Sequence, residues 1–224
     1  MEVKILGICG SPIKGGNAEI YLDEGLKGCE EISGVTIDKA ILAHKTIKPC
    51  IHCNWCVTKQ EEGKYCGQKD DMDEIYPKLL WCDALLVCTP VYIGRLSGQL
   101  ACFFDRIRCI IHGSMYHTEM RNKPGAALAV AFGRNAGLET ALLSIWYGFA
   151  TAEMLSVGAG LLDNSSQFGA AGLTSEHGLM RFDPSDKHEI LKDKFGMLAA
   201  HNMGKRLAVI TKVLKAGKET LDRK

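Results

Sequence analysis

Short apolar runs alternate along the chain with longer stretches of helical period. Residues 3–9, 84–89 and 126–132 are almost continuously apolar, which suits strands buried on both faces of a parallel sheet. Residues 35–42 and 153–157 predict two further strands. Between and after them, residues 17–31, 72–81, 98–111, 136–149 and 189–216 predict helices. Asp70 and Asp71 place carboxylates at the start of the second helix, where the helix dipole favours them. Phe103, Phe104, Ile107, Ile110 and Ile111 gather on one side of the third. This alternation predicts an α/β fold with a five-stranded parallel sheet and right-handed crossovers that put helices on both faces. Ligands of such sheets bind beyond the carboxyl ends of the strands. The loops after strands one, three and four are therefore expected to meet in a site.

Two segments break the rhythm. Residues 44–69 follow the second strand and are rich in cysteine, and residues 158–188 are rich in Gly, Ser, Asn and Asp. An irregular stretch of the latter's length usually has a function, here expected to be that of a lid or a subunit contact. With 224 residues the chain is long enough for one domain, 1–224, carrying both segments as additions.

Composition narrows the picture. Apolar residues make up 46%, charged residues 24%, and the net charge is +1, so nothing asks for a nucleic-acid partner. The apolar runs are far shorter than the ~20 residues that cross a bilayer, and no charged leader precedes an apolar segment. A cytoplasmic protein without a membrane partner is expected. In that setting the ten cysteines are expected to be thiols or metal ligands rather than disulfides.

Three loops carry candidate chemistry. After strand one comes Gly10-Ser11-Pro12-Ile13-Lys14-Gly15-Gly16-Asn17-Ala18. Its glycines let backbone N–H groups turn inward, Ser11 and Asn17 add donors, Lys14 adds charge, and the helix start favours an anion, which together predict a phosphate cradle. It is neither a Walker loop nor a Gly-x-Gly-x-x-Gly fingerprint. After strand three comes Thr89-Pro90-Val91-Tyr92-Ile93-Gly94-Arg95-Leu96-Ser97-Gly98, and after strand four Phe132-Gly133-Arg134-Asn135-Ala136-Gly137. An aromatic side chain, glycines that admit close approach and polar donors suit a flat heteroaromatic ring.

In this order and at these strand ends, the loops resemble the NAD(P)H-dependent FMN reductase group of the flavodoxin-like superfamily. That group carries Gly-Ser-Pro-Arg-x-Gly-Gly-Asn-Thr, then Pro-Val-Tyr-x-Gly-x-x-Ser-Gly, then a glycine-rich loop. The resemblance implies a three-layer sandwich with strand order 2-1-3-4-5. It implies that Ser11, Lys14, Gly16, Asn17 and Ala18 hold the FMN phosphate. Pro90, Val91, Tyr92, Ile93 and Gly94 would line the isoalloxazine, with Gly133, Arg134, Asn135 and Gly137 at its far edge. Lys14 stands where the group often has arginine and Ala18 where it often has a hydroxyl residue, which removes one phosphate donor.

Cys50, Cys53 and Cys56 step by threes, and Cys66 follows after nine intervening residues. Three thiolates on one tight loop with a fourth further on is how ferredoxin-type loops wrap an iron–sulfur cluster, whereas structural zinc usually takes two separate knuckles. Within the superfamily the segment resembles the iron–sulfur flavoproteins, which implies a [4Fe–4S] cluster on Cys50, Cys53, Cys56 and Cys66. Their last gap is usually four to seven residues. The longer gap here needs only a surface bulge, because lengthening a loop adds little closure entropy. The other six cysteines fall in or beside predicted elements and read as core, and His52 as a solvated side chain.

The expected function is an FMN oxidoreductase that moves electrons from NAD(P)H or a ferredoxin to an acceptor, with flavin-centred chemistry and no catalytic side chain. A homo-oligomer, dimer or tetramer, is expected, with the cluster loop reaching toward a neighbouring flavin. The competing readings are an FMN or quinone reductase without a cluster, a non-enzymatic electron carrier, and a redox-sensing or zinc-stabilised binding module.

Overall fold

The computed structural model describes residues 1–159, 167–175, 178–181 and 183–222. Strands β1 (Val3–Cys9), β2 (Val35–Ile41), β3 (Ala84–Pro90), β4 (Pro124–Ala131) and β5 (Leu155–Ser156) form a parallel sheet in the order β2-β1-β3-β4-β5. The central strands are apolar because both faces are covered: every residue of β4 is buried, and so is all of β3 before Pro90. β2 lies at the edge and mixes partly buried and exposed positions, with only Ala40 buried.

A sixth strand, β6 (Ala170–Leu173), was not expected. It pairs in parallel with Leu128–Ala131 of β4, while β5 pairs with Pro124 and Gly125. The other edge of β4 is taken by β3, so β5 and β6 occupy one edge in succession. The fifth strand position is thus split, and the expected irregular stretch 158–188 contains its second half. Residues 160–166, 176, 177 and 182 of that stretch lie outside the described residues.

Helices α1 (Asn17–Glu30) and α7 (Lys194–Asp222) cover one face, packing Tyr21, Leu22, Leu26, Met203 and Leu207 over Ile5, Leu86 and Leu128. The two helices approach so closely that a Cβ on Gly204 would stand 1.7 Å from the Gly25 carbonyl oxygen. The other face carries α3 (Tyr76–Trp81), α4 (Gly98–Arg106), α5 (Arg108–Ile111) and α6 (Leu138–Thr151), packed through Leu79, Phe103, Ile110, Leu142 and Phe149.

Two expected helices are shorter than their periodicity implied. Pro77 lacks an N–H and fits only a first turn, so α3 starts at Tyr76 behind a separate 3₁₀ turn, Asp71–Glu74. The stretch 98–111 divides at Ile107 into α4 and α5. One helix was not foreseen, α2 (Trp55–Thr58), which lies inside the cysteine segment.

Candidate flavin and iron–sulfur sites

The loops after β1, β3 and β4 leave the same end of the sheet and are tied together by a few buried groups. Ser97 is fully buried. Its hydroxyl donates to the Gly10 carbonyl at 2.5 Å, and the same oxygen caps α4 by accepting from Leu100 N–H at 3.2 Å. Ser97 N–H donates to Thr89 Oγ1 at 3.0 Å, and Val91 N–H to the Val130 carbonyl at 2.8 Å. The serine of the second motif therefore joins the first loop to the second. The second loop is in turn joined to β4.

At the first loop, the N-terminus of α1 has no side-chain cap among the described residues, so its first two N–H groups, those of Asn17 and Ala18, are left to an anion, while Glu19 N–H donates to the Gly16 carbonyl at 3.0 Å. Gly15, at φ +66°, donates its N–H to Glu19 Oε2 at 2.7 Å, so an anionic acceptor already serves this loop. Ser11 is buried and its Oγ accepts from Ile13 N–H at 3.1 Å. Asn17 Oδ1 accepts from Ile190 N–H at 2.9 Å, tying the helix start to the segment before α7. Gly16 packs against Ile13, and Ala18 is buried beneath the helix start. Lys14 is exposed and borders a separate cavity of about 460 Å³ beside the end of β2, with Lys39, His44, Lys45, Asp71 and Lys78.

At the second loop, Tyr92 and Arg95 exchange backbone hydrogen bonds of 2.9 and 3.3 Å around a tight turn whose central residues, Ile93 and Gly94, both have positive φ. A β-branched residue at φ 50° is strained, and Ile93 is also 98% exposed. Tyr92 is half-exposed, whereas Val91 is buried. Gly137, at φ +99°, lies where an added Cβ would be 2.5 Å from Gly94 Cα, so the second and third loops touch through glycines. Pro90, Gly94, Gly133, Arg134, Asn135 and Gly137 are thereby brought to one end of the sheet. Ser175, Gly178, Leu179 and Met180, absent from the expected site, lie against them. Ser175 Oγ donates to the Phe132 carbonyl, Gly133 bridges to Leu179, and a Cβ on Gly178 would meet Arg134 Cγ at 2.4 Å.

Cys50, Cys53, Cys56 and Cys66 line one pocket, together with Ile51, Asn54, Gln68, Asp105, Arg106, Arg108 and Cys109. Among the described residues no three His, Cys, Asp or Glu side chains form a group that could hold a metal ion as they stand. The cysteines face a common space because His52 and Asn54 adopt left-handed backbone conformations at φ 52° and 57°, reversing the chain on either side of Cys53. Asn tolerates this conformation well. Cys53 is exposed, Cys50 and Cys66 are partly buried, and Cys56 is buried in α2.

The sulfurs already receive donors. His52 N–H points to Cys50 Sγ at 3.4 Å, and Arg108 Nη1 to Cys56 Sγ at 3.8 Å. Burial pushes the Cys56 thiol up, Arg108 opposes this, and the neighbouring Cys66 and Cys50 add to it, leaving the thiol raised.

The long gap before Cys66 is folded rather than slack. It is taken up by α2 and by a turn in which Lys64 N–H donates to the Glu61 carbonyl at 3.0 Å. Behind the turn, buried Gln60 donates through Nε2 to the Tyr65 and Cys109 carbonyls, and its Oε1 accepts from Met115 and Tyr116 N–H. Tyr65 stacks on Tyr116 and Tyr76 at ring separations of 4.6 and 5.1 Å. These contacts return the chain so that Cys66 meets the other three cysteines.

Sequence reasoning missed Arg106 and Cys109 as parts of this pocket and Gln60 as the residue that folds the segment behind it. The available signal for Arg106 was a charge on the apolar side of a helix, one turn after Phe103. Cys109, read as core, is indeed buried, and its burial pushes the thiol up to about 12.

The sheet order and the three joined loops define a flavodoxin-like α/β protein. The sequence model of the family described as NADPH-dependent FMN reductase matches residues 3–165, and the chain belongs to that family of oxidoreductases. It is 35% identical to an iron-sulfur flavoprotein of Methanocaldococcus jannaschii over 95% of this chain and 100% of that one. A second iron-sulfur flavoprotein, from Methanosarcina thermophila, is 30% identical over 97% of this chain and 100% of its own length. Among solved structures, the NAD(P)H:quinone oxidoreductase from Methanothermobacter marburgensis superposes with a TM-score of 0.60 at 16% identity, covering 92% of this chain and 100% of that one. That likeness shows the shared fold. No helix among the described residues is long and apolar enough to cross a membrane.

Proposed function

We propose that the protein is an electron-transferring oxidoreductase that binds FMN across the loops after β1, β3 and β4 and a [4Fe–4S] cluster on Cys50, Cys53, Cys56 and Cys66. The observation that carries the second half is the convergence of these four cysteines on one pocket, across a gap that Gln60 and Tyr65 fold back. The full-length likeness to proteins named iron-sulfur flavoproteins supports it.

Both cofactors fit the residues present. The start of α1, which has no side-chain cap, and the buried Ser11 suit a phosphate, and the Gly94–Gly137 contact brings the second and third loops together, the second carrying Tyr92. Cys50 and Cys56 already accept hydrogen bonds at sulfur, as ligating thiolates would. When bound, FMN exchanges electrons in pairs or singly and the cluster singly, so together they connect two-electron and one-electron partners.

The chain's own part is to bind and orient. Backbone N–H groups of the first loop fix the phosphate end, and the Tyr92–Arg95 turn sets the depth at which a ring can lie. The His52 N–H and the Arg108 guanidinium donate to the Cys50 and Cys56 sulfurs, and the Arg108 charge works against the burial that raises the Cys56 thiol. The electron donor is NAD(P)H or a reduced ferredoxin, the acceptor is a small molecule or a second redox protein, and the working form is a homo-oligomer in the cytoplasm.

Rapid mixing of the oxidised protein with NADPH, NADH or reduced ferredoxin tests the enzyme reading. Bleaching of the flavin absorbance by one of these donors within seconds is expected. Absence of bleaching by NADPH and NADH, with rapid bleaching by ferredoxin, would instead mark a carrier fed by protein partners.

A further inference from the structure

Arg106 projects from the end of α4 to the cysteine pocket, and its side chain is 0% exposed. Nη1 donates to the Lys48 carbonyl at 3.1 Å and to Asp70 Oδ2 at 2.5 Å. Nε and Nη2 are buried and have no acceptor among the described residues. A guanidinium cannot shed its charge in a protein, and leaving its donors dry and unmatched costs more than a made hydrogen bond returns. Asp70 accepts from Lys48 N–H and Met72 N–H and, of the guanidinium, only from Nη1, so it does not answer the two idle donors. The pocket that Arg106 lines is lined also by Cys50, Cys53, Cys56 and Cys66, beside Asp105, and Cys66 is among the groups whose charge acts on Arg106.

Resting on the reading of Cys50, Cys53, Cys56 and Cys66 as cluster ligands, we propose that Arg106 is the buried counter-cation of that site. It stabilises the anionic iron–sulfur group through its two free donors and raises the group's reduction potential. Four thiolate ligands leave such a group negatively charged, and each added electron makes it more so. A buried cation favours the more negative, reduced form. Asp70 opposes it, because it is a fixed anion held by the same guanidinium. The pair therefore sets the potential by opposition, Arg106 upward and Asp70 downward.

A merely structural role predicts something else. Arg106 and Asp70 also pin the two ends of the cysteine segment, at Lys48 and Met72. If pinning were all, Arg106→Gln and Asp70→Asn would loosen the segment alike and shift the potential in the same direction, or not at all.

The experiment is a redox titration of the full-length, iron-loaded protein, followed by the electron paramagnetic resonance of the reduced cluster, with iron counted in each sample. Arg106→Gln is expected to lower the midpoint potential, Arg106→Lys to leave it near that of the wild type, and Asp70→Asn to raise it. Shifts of the same sign for Arg106→Gln and Asp70→Asn, or none in either, overturn the proposal while leaving the cluster itself intact. If Arg106→Gln does not fold, the sign of the Asp70→Asn shift decides, and a fall or no change overturns the proposal. A wild-type protein that holds flavin but no iron overturns the cluster reading, and this inference with it.

Discussion

Gly137 and Gly94 meet where the third loop crosses the second: a Cβ on Gly137 would lie 2.5 Å from Gly94 Cα. Gly137 also has a φ of +99°, a conformation that other residues adopt only under strain. Gly137→Ala should therefore push the two loops apart at the proposed ring site. With about 1–3 kcal/mol of strain to relieve, a fall in FMN affinity of ~10-fold or more is expected, measured by quenching of flavin fluorescence. Iron content should stay unchanged, because the cysteine pocket lies on other loops. Wild-type affinity in this variant would mean that the flavin does not lie across this contact.

The Arg106–Asp70 pair carries a pH dependence that can be read in iron-free protein. Burial pushes the Asp70 carboxyl up, but hydrogen bonds from Arg106, Lys48 and Met72 outweigh this and hold it below the usual range. A carboxyl whose pKa is lower in the folded state contributes stability above the unfolded value, about 3.9, and loses it as pH falls through the folded value. Asp70→Asn should destabilise the protein by about 3–5 kcal/mol at pH 7, since it strands a buried cation. In denaturant titrations that gap should narrow steadily below about pH 4. A gap independent of pH would show that the carboxylate charge is not what Arg106 requires.

Thiol reactivity separates the two groups of cysteines. Burial raises Cys9 and Cys29 to about 12 and Cys82 to about 11, and lifts Cys88 well above its ordinary value, so all four remain protonated and enclosed at pH 8. Brief alkylation of iron-free protein followed by peptide mass analysis should modify Cys53 first, then Cys50 and Cys66, the less buried thiols of the pocket. In iron-loaded protein those three should be protected. Equal labelling with and without iron would remove them from the ligand set.

The parts of this protein that were legible in the sequence are those where neighbours along the chain do the work. β1, β3 and β4 announce themselves because strands buried on both faces must be apolar throughout. The three loops were legible because tight turns and close backbone approach demand glycines at fixed offsets. β6 was not, since Ala170–Leu173 is short, contains a glycine and gains its place by pairing with a distant strand. Gln60 and Arg106 were hidden for the same reason: apart from the Tyr65 carbonyl, the groups their side chains bond, at Lys48, Asp70, Cys109, Met115 and Tyr116, lie far from them in sequence. The nine-residue gap before Cys66 read as a departure from related sequences. Its contents, a short helix and a turn anchored by Gln60, could be seen only once folded.

The central claim is that one chain carries both a flavin and a cluster. Its most direct test is anaerobic purification of the wild-type protein and Cys53→Ser, with FMN, iron and acid-labile sulfide counted per chain. The account predicts about one FMN and about four irons and sulfides in the wild type, with iron lost and FMN kept in the variant. Flavin without iron in the wild type, or equal loss of both cofactors in Cys53→Ser, would contradict it.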